Sequence, residues 1–258
     1  MIDPIAFQFG PIGPIGPISI RWYGILMSTA ILVGTFLALR EVHRQGINED
    51  KFMNILIAAI PAGFIGARLY YVAFRWDYYS QYPSEIPAVW HGGLAIHGAI
   101  LGAFLVGGLM IRYYNMDFWQ LADIVAPSLI IGQAIGRWGN FINQEAYGYE
   151  VDPEKVPWAM WIDGAYRHPT FLYESIWNLL IFTFLIWLRR QRFINKGEVF
   201  LSYLMTYSFG RFIVEGFRTD SLMLGPLRAA QVISIIFFLF AAIFLWYRRK
   251  KEQDKIFR

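Results

Sequence analysis

The sequence predicts an all-α fold, a polytopic integral membrane protein of about seven transmembrane helices with a small extracytoplasmic cap. Three observations predict it. Of 258 residues, 56% are hydrophobic and 16% charged, and the mean hydropathy is +0.38, which leaves too few polar side chains to cover a water-soluble surface. Apolar runs come second: a bilayer-crossing helix needs roughly 20 mainly apolar residues, and seven segments approach that length. The third is basic charge, which is distributed unevenly between the two sets of connecting loops. Aromatic residues reach 18%, with ten Trp and fifteen Tyr, and such rings collect at membrane interfaces as well as in cores. A disordered chain is excluded. With no Cys, disulfides, thiolate metal sites and a cysteine nucleophile of the protein's own are excluded too, while the redox compartment stays open.

In chain order the segments lie near 18–39, 52–74, 91–111, 121–138, 170–188, 198–216 and 229–247. Ahead of them, Gly10 to Ile18 repeats Gly-Pro-Ile three times, too short for collagen and expected to form an extended surface lead-in. No basic n-region or small-residue cleavage site precedes it, so the N-terminus is expected to stay attached. The second span carries Pro61 and Arg68, the fourth Asp123 and Pro127, and the last is uninterrupted. The loops after spans one, three and five and the C-terminal tail hold fourteen Lys and Arg, against five in the N-terminal lead and the other loops. That bias puts the C-terminus in the cytoplasm and the N-terminus outside. The chain then reads as a single transmembrane domain over 1–258. Its longest loop, 139–169, is an extracytoplasmic cap with turn-formers such as Asp152-Pro153 and Pro157. Residues 248–258 form a basic cytoplasmic tail. The run Arg248-Arg249-Lys250-Lys251 is a topology anchor beside anionic lipid, not a nucleic-acid surface.

Ionised groups at bilayer depth cost several kcal/mol and usually face a cavity, pair internally or mark a pathway. Here they gather in four places. The first is Gly136-Arg137-Trp138-Gly139-Asn140-Phe141-Ile142-Asn143-Gln144-Glu145, followed by Gly148, at the outer end of span four. Arg137 offers a planar fork suited to phosphate or carboxylate, and Asn140, Asn143 and Glu145 can orient it or meet polar substrate atoms. The competing reading is an interfacial Arg snorkelling outward. The second is Arg211, Glu215 and Arg218, spaced to share one helix face, with Tyr207 one turn before Arg211. A buried structural ion pair is the alternative there. The third is His91-Gly92-Gly93 to His97-Gly98. Two His six apart lack the spacing of a helical metal pair, and no metal is expected. His97 is the candidate acid/base group, against a hydrogen-bonded core histidine. The fourth is Arg167-His168-Pro169-Thr170-Phe171-Leu172-Tyr173-Glu174, where Pro169 and Glu174 fit a helix start. Tyr23, in Arg21-Trp22-Tyr23-Gly24, is either interfacial or part of the same site. All of these fall toward the outer ends of their spans, which predicts a polar pocket between helices with two arginines able to hold an anion.

At these residues the chain resembles the prolipoprotein diacylglyceryl transferase family of bacterial inner-membrane enzymes, from about Ile20 to Tyr247. The most specific block is Gly-Arg-x-Gly-Asn-Phe-x-Asn-x-Glu-x-x-Gly, matched by Gly136, Arg137, Gly139, Asn140, Phe141, Asn143, Glu145 and Gly148. Arg21-Trp22-Tyr23-Gly24, His97-Gly98, the block from His168 to Glu174, and Arg211 to Arg218 follow the family's order. Where the family has Phe-His-Gly-Gly, this chain has Ile96-His97-Gly98-Ala99. The resemblance implies transfer of the sn-1,2-diacylglyceryl group from phosphatidylglycerol to the lipobox cysteine thiol of a preprolipoprotein signal peptide, with no cofactor. It makes His97, Arg137 and Arg211 the catalytic candidates. Tyr23, Asn140, Glu145, Gly148, Tyr207, Glu215 and His168 become candidates for substrate binding.

Two rival classes remain at this level. A transporter or flippase for an anion would use the arginines without chemistry, but no inverted repeat is visible and the polar residues crowd one side. An intramembrane protease or acyltransferase would need a Gly-x-Ser-x-Gly elbow, a His-x-x-Glu-His type metal motif or a His-x-x-x-x-Asp pair, and the sequence has none.

Overall fold

The computed structural model describes residues 3–11, 17–89 and 92–256. A hairpin of β1 (Ile5–Pro11) and β2 (Pro17–Arg21) leads into α1 (Trp22–Arg44), α2 (Glu49–Phe74), the single turn α3 (Trp76–Tyr79), α4 (Ile96–Tyr113) and α5 (Phe118–Ile142). Then come the hairpin β3 (Met160–Ile162) and β4 (Ala165–Arg167), α6 (Thr170–Leu188), α7 (Glu198–Glu215), the short hairpin β5 (Met223–Leu224) and β6 (Leu227–Arg228), and α8 (Ala229–Ile256). Among the described residues, seven long helices thus fall on the seven apolar segments. All but α7 are long and apolar enough to cross a membrane, whereas α7 carries Glu198, Arg211 and Glu215 in its eighteen residues. Burial is inverted relative to a soluble bundle. Leu32, Phe36, Ile243 and Trp246 are exposed while Glu41, Glu174, Glu198, Glu215 and Asn178 are buried, which is the arrangement a lipid solvent selects.

Two boundaries move for identifiable reasons. α1 begins at Trp22 because the residues before it pair with β1, so the expected extended lead-in is flanked by a hairpin, and residues 12–16 of it lie outside the described residues. α4 begins at Ile96 because Gly92 and Gly93 adopt φ of 87° and 78°, which no helix contains. His91, the first residue of the third polar cluster, lies outside the described residues.

Within the single transmembrane domain expected over 1–258, the chain divides into two compact units, Met1–Ala38 with Ala122–Arg258, and Leu39–Leu121. In the first, Ala126 and Ile130 of α5, Ile181, Leu185 and Leu188 of α6, and Val199 and Tyr203 of α7 make one buried core. Asp123 of α5 caps α7 from outside the helix: its carboxylate accepts from Gly197 N at 2.6 Å and Phe200 N at 2.8 Å, satisfying N–H groups that a helix start leaves open. Arg249 of α8 binds buried Glu198 through Nε and Nη2 at 2.9 and 3.0 Å, so the basic tail also closes the bundle. At the other end of α5 the cap ties to the segment after α7: Tyr149 N donates to Phe217 O at 3.0 Å, and Gly148 bridges Arg218.

The second unit is built on α2 and α4. A β-carbon on Gly66 or Gly98 would overlap the other's carbonyl oxygen, so small residues let the two backbones touch, as in membrane helix pairs. Arg68, buried in α2, gives its fork to backbone carbonyls of the outer loop. Nε donates to Ile86 O at 2.8 Å, Nη1 to Gly92 O and Gly93 O at 2.6 and 2.9 Å, and Nη2 to Glu85 O and Ala88 O at 2.6 and 3.3 Å. Tyr79 lies under the guanidinium at 5.2 Å.

Candidate functional site

In the first unit, α5, α6 and α7 bring an ionic cluster together. Glu174, one turn into α6 and 3% exposed, lies between two arginines. Arg137 Nη2 of α5 is 2.9 Å from its Oε1, and Arg211 Nη1 of α7 is 3.3 and 3.1 Å from its two oxygens. Arg211 Nη2 also reaches Glu215 Oε2 at 2.6 Å, one turn along α7 as the spacing predicts. Glu215 is held in turn by Ser221, whose hydroxyl donates to Oε1 at 2.6 Å. Arg218 sits 3.9 Å from the same carboxylate and binds Asp220 bidentately at 2.9 and 2.7 Å.

The signature turn after α5 completes the cluster. Arg137 Nη1 donates to Asn140 Oδ1 at 3.2 Å, and Asn140 and Asn143 donate to Glu145 Oε1 at 3.0 and 3.3 Å. Gln144 and Ala146, on either side of Glu145, have φ of 52° and 58°, a region that β-carbons disfavour by about 1 kcal/mol or more. Thr170 holds the turn by donating to Ala146 O at 2.6 Å. The backbone is therefore bent, at a cost, to present an exposed carboxylate that the amides of Asn140 and Asn143 hold. Tyr23 joins from α1: its ring lies on the backbone of Gly139, where a β-carbon would collide with it, and it interacts electrostatically with Glu145 and Arg137.

The remaining candidates have definite places. Tyr207 stacks on Tyr203 with ring centroids 5.9 Å apart, one turn below Arg211. Gly148 donates its N–H to His168 O at 3.0 Å. The His168 ring is walled by Tyr149 at 4.9 Å and Phe217 at 5.1 Å, and its Nδ1 is 2.9 Å from the Tyr173 hydroxyl. Burial lowers its pKa below the ordinary 6.5, because desolvation penalises imidazolium. Asp220 is held below the usual carboxylate value chiefly by its hydrogen bond to Arg218. His97 belongs to the second unit, where it is exposed in the first turn of α4 with Tyr70 5.9 Å away. Exposed there, it is not a core histidine.

The structure thus joins Tyr23, Arg137, Asn140, Glu145, Arg211 and Glu215 in one unit. Glu174 is the residue the sequence reading undervalued as a helix-start charge. The signal available was its place in the His168–Glu174 block, since its two partners lie on other helices. Among the described residues no three His, Asp or Glu gather as metal ligands would, and the buried carboxylates here are met by arginines. Two guanidiniums share one buried carboxylate, and both keep N–H groups unused among the described residues. Such a pair can hold a tetrahedral oxyanion and stabilise charge growing on it.

A family model described as prolipoprotein diacylglyceryl transferase matches residues 11–247. A phosphatidylglycerol–prolipoprotein diacylglyceryl transferase of Geobacillus kaustophilus (strain HTA426) is 52% identical over 248 residues, covering 92% of this chain and 91% of that one. Proteins of the same name from Bacillus mycoides (strain KBAB4) and Limosilactobacillus reuteri (strain DSM 20016) are each 49% identical over 261 residues. They cover 98% and 97% of this chain and 94% and 93% of their own lengths.

Proposed function

The chain belongs to the prolipoprotein diacylglyceryl transferase family and is an enzyme moving the sn-1,2-diacylglyceryl group of phosphatidylglycerol to a prolipoprotein; from that premise we propose how its residues do so. The acceptor is the thiol of the lipobox cysteine in the signal peptide, which supplies the sulfur this chain lacks. The thiolate attacks the glyceryl carbon that bears the phosphate. The carbon–oxygen bond breaks, its electron pair stays on the phosphate oxygen, and a thioether and glycerol 1-phosphate result. The phosphate gains one negative charge along this path, and Arg137 and Arg211 meet it. Glu174 holds both forks in position from behind, and Glu215 sets the angle of Arg211. Asn140, Glu145 and Tyr23 orient Arg137 and the lipid headgroup, while Gly148 and His168 shape the cap beside them and Tyr207 lies beneath. His97 takes the thiol proton. The site faces the extracytoplasmic side of the bacterial inner membrane, with the N-terminus outside and the C-terminus in the cytoplasm, as the Lys and Arg bias requires.

The observation that carries this reading is the pair of arginines on the buried carboxylate of Glu174, with donors left over, among the described residues, beyond those given to Glu215 and Asn140. The proton step has its own test. Cysteine has a pKa of about 8.5 and histidine about 6.5 unperturbed, so an imidazole beside the thiol can accept its proton near neutrality. His97→Gln is expected to slow transfer to a lipobox peptide at neutral pH and to recover as alkali ionises the thiol unaided, with an unchanged melting temperature. A fully active variant with a flat pH–rate profile takes the base role from His97. Absence of any transfer from phosphatidylglycerol by the intact protein, with the lipid merely moved between leaflets, would instead favour the flippase class.

A further inference from the structure

The faces of α5, α6 and α7 that build the ionic cluster continue into the apolar core. Ile130, Ile181 and Tyr203 belong to that core, while Arg137, Glu174 and Arg211 meet as ion pairs. Between the two levels, four residues from each charged group, stand Gln133, Asn178 and Tyr207. Positions four apart share a helix face with a rise of about 6 Å. Asn178 is 0% exposed, yet neither its Oδ1 nor its Nδ2 has a hydrogen-bond partner among the described residues, and the same holds for buried Oε1 of Gln133. Gln133 Nε2 donates to the Tyr203 hydroxyl at 3.0 Å, which fixes that amide and leaves its oxygen facing the layer. A buried amide group without a partner costs about 1–3 kcal/mol, and packing alone would be served better by Leu and Met.

Two acceptors and one donor define what these amides fit. An ester carbonyl accepts only, and would leave Asn178 Oδ1 and Gln133 Oε1 unmatched. A group with two hydroxyls donates to both and accepts from Nδ2. We infer that Asn178 and Gln133 form a hydroxyl-binding subsite one turn beneath the guanidinium pair, which takes the diol of the phosphatidylglycerol headgroup while Arg137 and Arg211 hold its phosphate. The inference rests on the reading of that pair as the phosphate site. Four bonds separate phosphorus from the nearer hydroxyl oxygen and five from the terminal one, a reach comparable with one helical turn, about 5.4 Å. The amide atoms are sealed from solvent, so the hydroxyls reach them as side chains of the layer part, and relief of the unmatched amides favours that opening. The subsite selects the leaving group, because a headgroup without hydroxyls leaves the amides unmatched.

The same chemistry could be served by an internal water, and the donor lipid separates the two. Transfer to a lipobox peptide is measured for the full-length protein with phosphatidylglycerol and with phosphatidylpropanol of identical acyl chains, whose headgroup lacks hydroxyls. The native protein is expected to prefer phosphatidylglycerol in kcat/KM by about 10- to 100-fold. Asn178→Leu is expected to abolish most of that preference by lowering kcat/KM for phosphatidylglycerol while leaving phosphatidylpropanol within about twofold. Gln133→Met carries the same test should Asn178→Leu not fold. Equal losses on both donors, or a native protein indifferent to the hydroxyls, would overturn the subsite and assign the amides to water or packing. Native protein that transfers from neither lipid would strike the phosphate-site reading itself.

Discussion

Both units carry arginines in long apolar helices, Arg68 buried and Arg137 and Arg211 partly so, and they use them in opposite ways. Arg68 in α2 spends its fork on backbone carbonyls of residues 85–93, uncharged partners that neutralise nothing and leave no donor direction open. Arg137 and Arg211 share the carboxylate of Glu174, and Arg211 also pairs with Glu215, yet both forks keep N–H groups unused among the described residues. The first arrangement holds a loop in place. The second leaves donors with which, in the proposed function, an anion is held. An in-span arginine is therefore not informative by its position; the chemistry of its partners decides whether it is a staple or a site.

The largest effect that would break this contrast is on turnover. Arg137→Ala and Arg211→Ala are each expected to lower transfer about a hundredfold, the roughly 3 kcal/mol that one charge-assisted contact to a developing oxyanion supplies. Near-normal kinetics from either folded variant would remove that residue from phosphate binding. A smaller effect is expected from Glu174→Gln. The amide keeps an oxygen for one arginine but not a charge for two, so about 1–3 kcal/mol of stability should be lost and the saturation constant for phosphatidylglycerol should shift as the forks relax. A variant with unchanged stability and unchanged saturation would show that Glu174 positions neither arginine.

The smallest effect sharpens the edges of the site. His168 has a pKa below 6.5 in the folded protein because burial disfavours its charged form, so the unfolded chain binds its proton first. Its contribution to stability is complete above pH 6.5 and is lost as pH falls from there through the folded value. Asp220, held down by Arg218 from 3.8, contributes in the same direction but only at more acid pH, and its half-exposed side chain makes the contribution small. Melting temperatures across mildly acid pH should therefore decline for the native protein and stay flatter for His168→Gln. Parallel curves would show that the imidazole is no more desolvated than in the unfolded chain.

The long helices could be read in the sequence because lipid demands unbroken apolar runs, and no tertiary contact is needed to see one. Hairpins could not. Ile18 and Ile20 lengthen the apolar run of span one, yet residues 18–21 pair with β1, and a sum of hydrophobicity does not tell a strand from a helix end. α5 extends at both ends of the expected 121–138 because polar residues such as Gln120 and Asn140 continue it where the apolar run stops. In the site, Arg137, Asn140 and Glu145 were legible because their contacts are local, within one signature turn. Glu174 was not, since its partners are thirty-seven residues away in either direction, at Arg137 and Arg211, and spacing along one helix says nothing about a neighbour. Asn178 and Gln133 drew no notice at all, because an amide in an apolar run is informative only once its lack of a partner is seen.

The most direct test of the contrast replaces one arginine in each unit by lysine and reads transfer and melting temperature side by side. Lysine keeps the charge but loses the planar fork. Arg137→Lys is expected to melt close to the native protein and to lose most of its diacylglyceryl transfer from phosphatidylglycerol. Arg68→Lys is expected to melt lower, with turnover per folded molecule nearly intact. The opposite outcome, with Arg137→Lys active and Arg68→Lys stable but inactive, would contradict the assignment of the phosphate site to the Arg137–Glu174–Arg211 cluster.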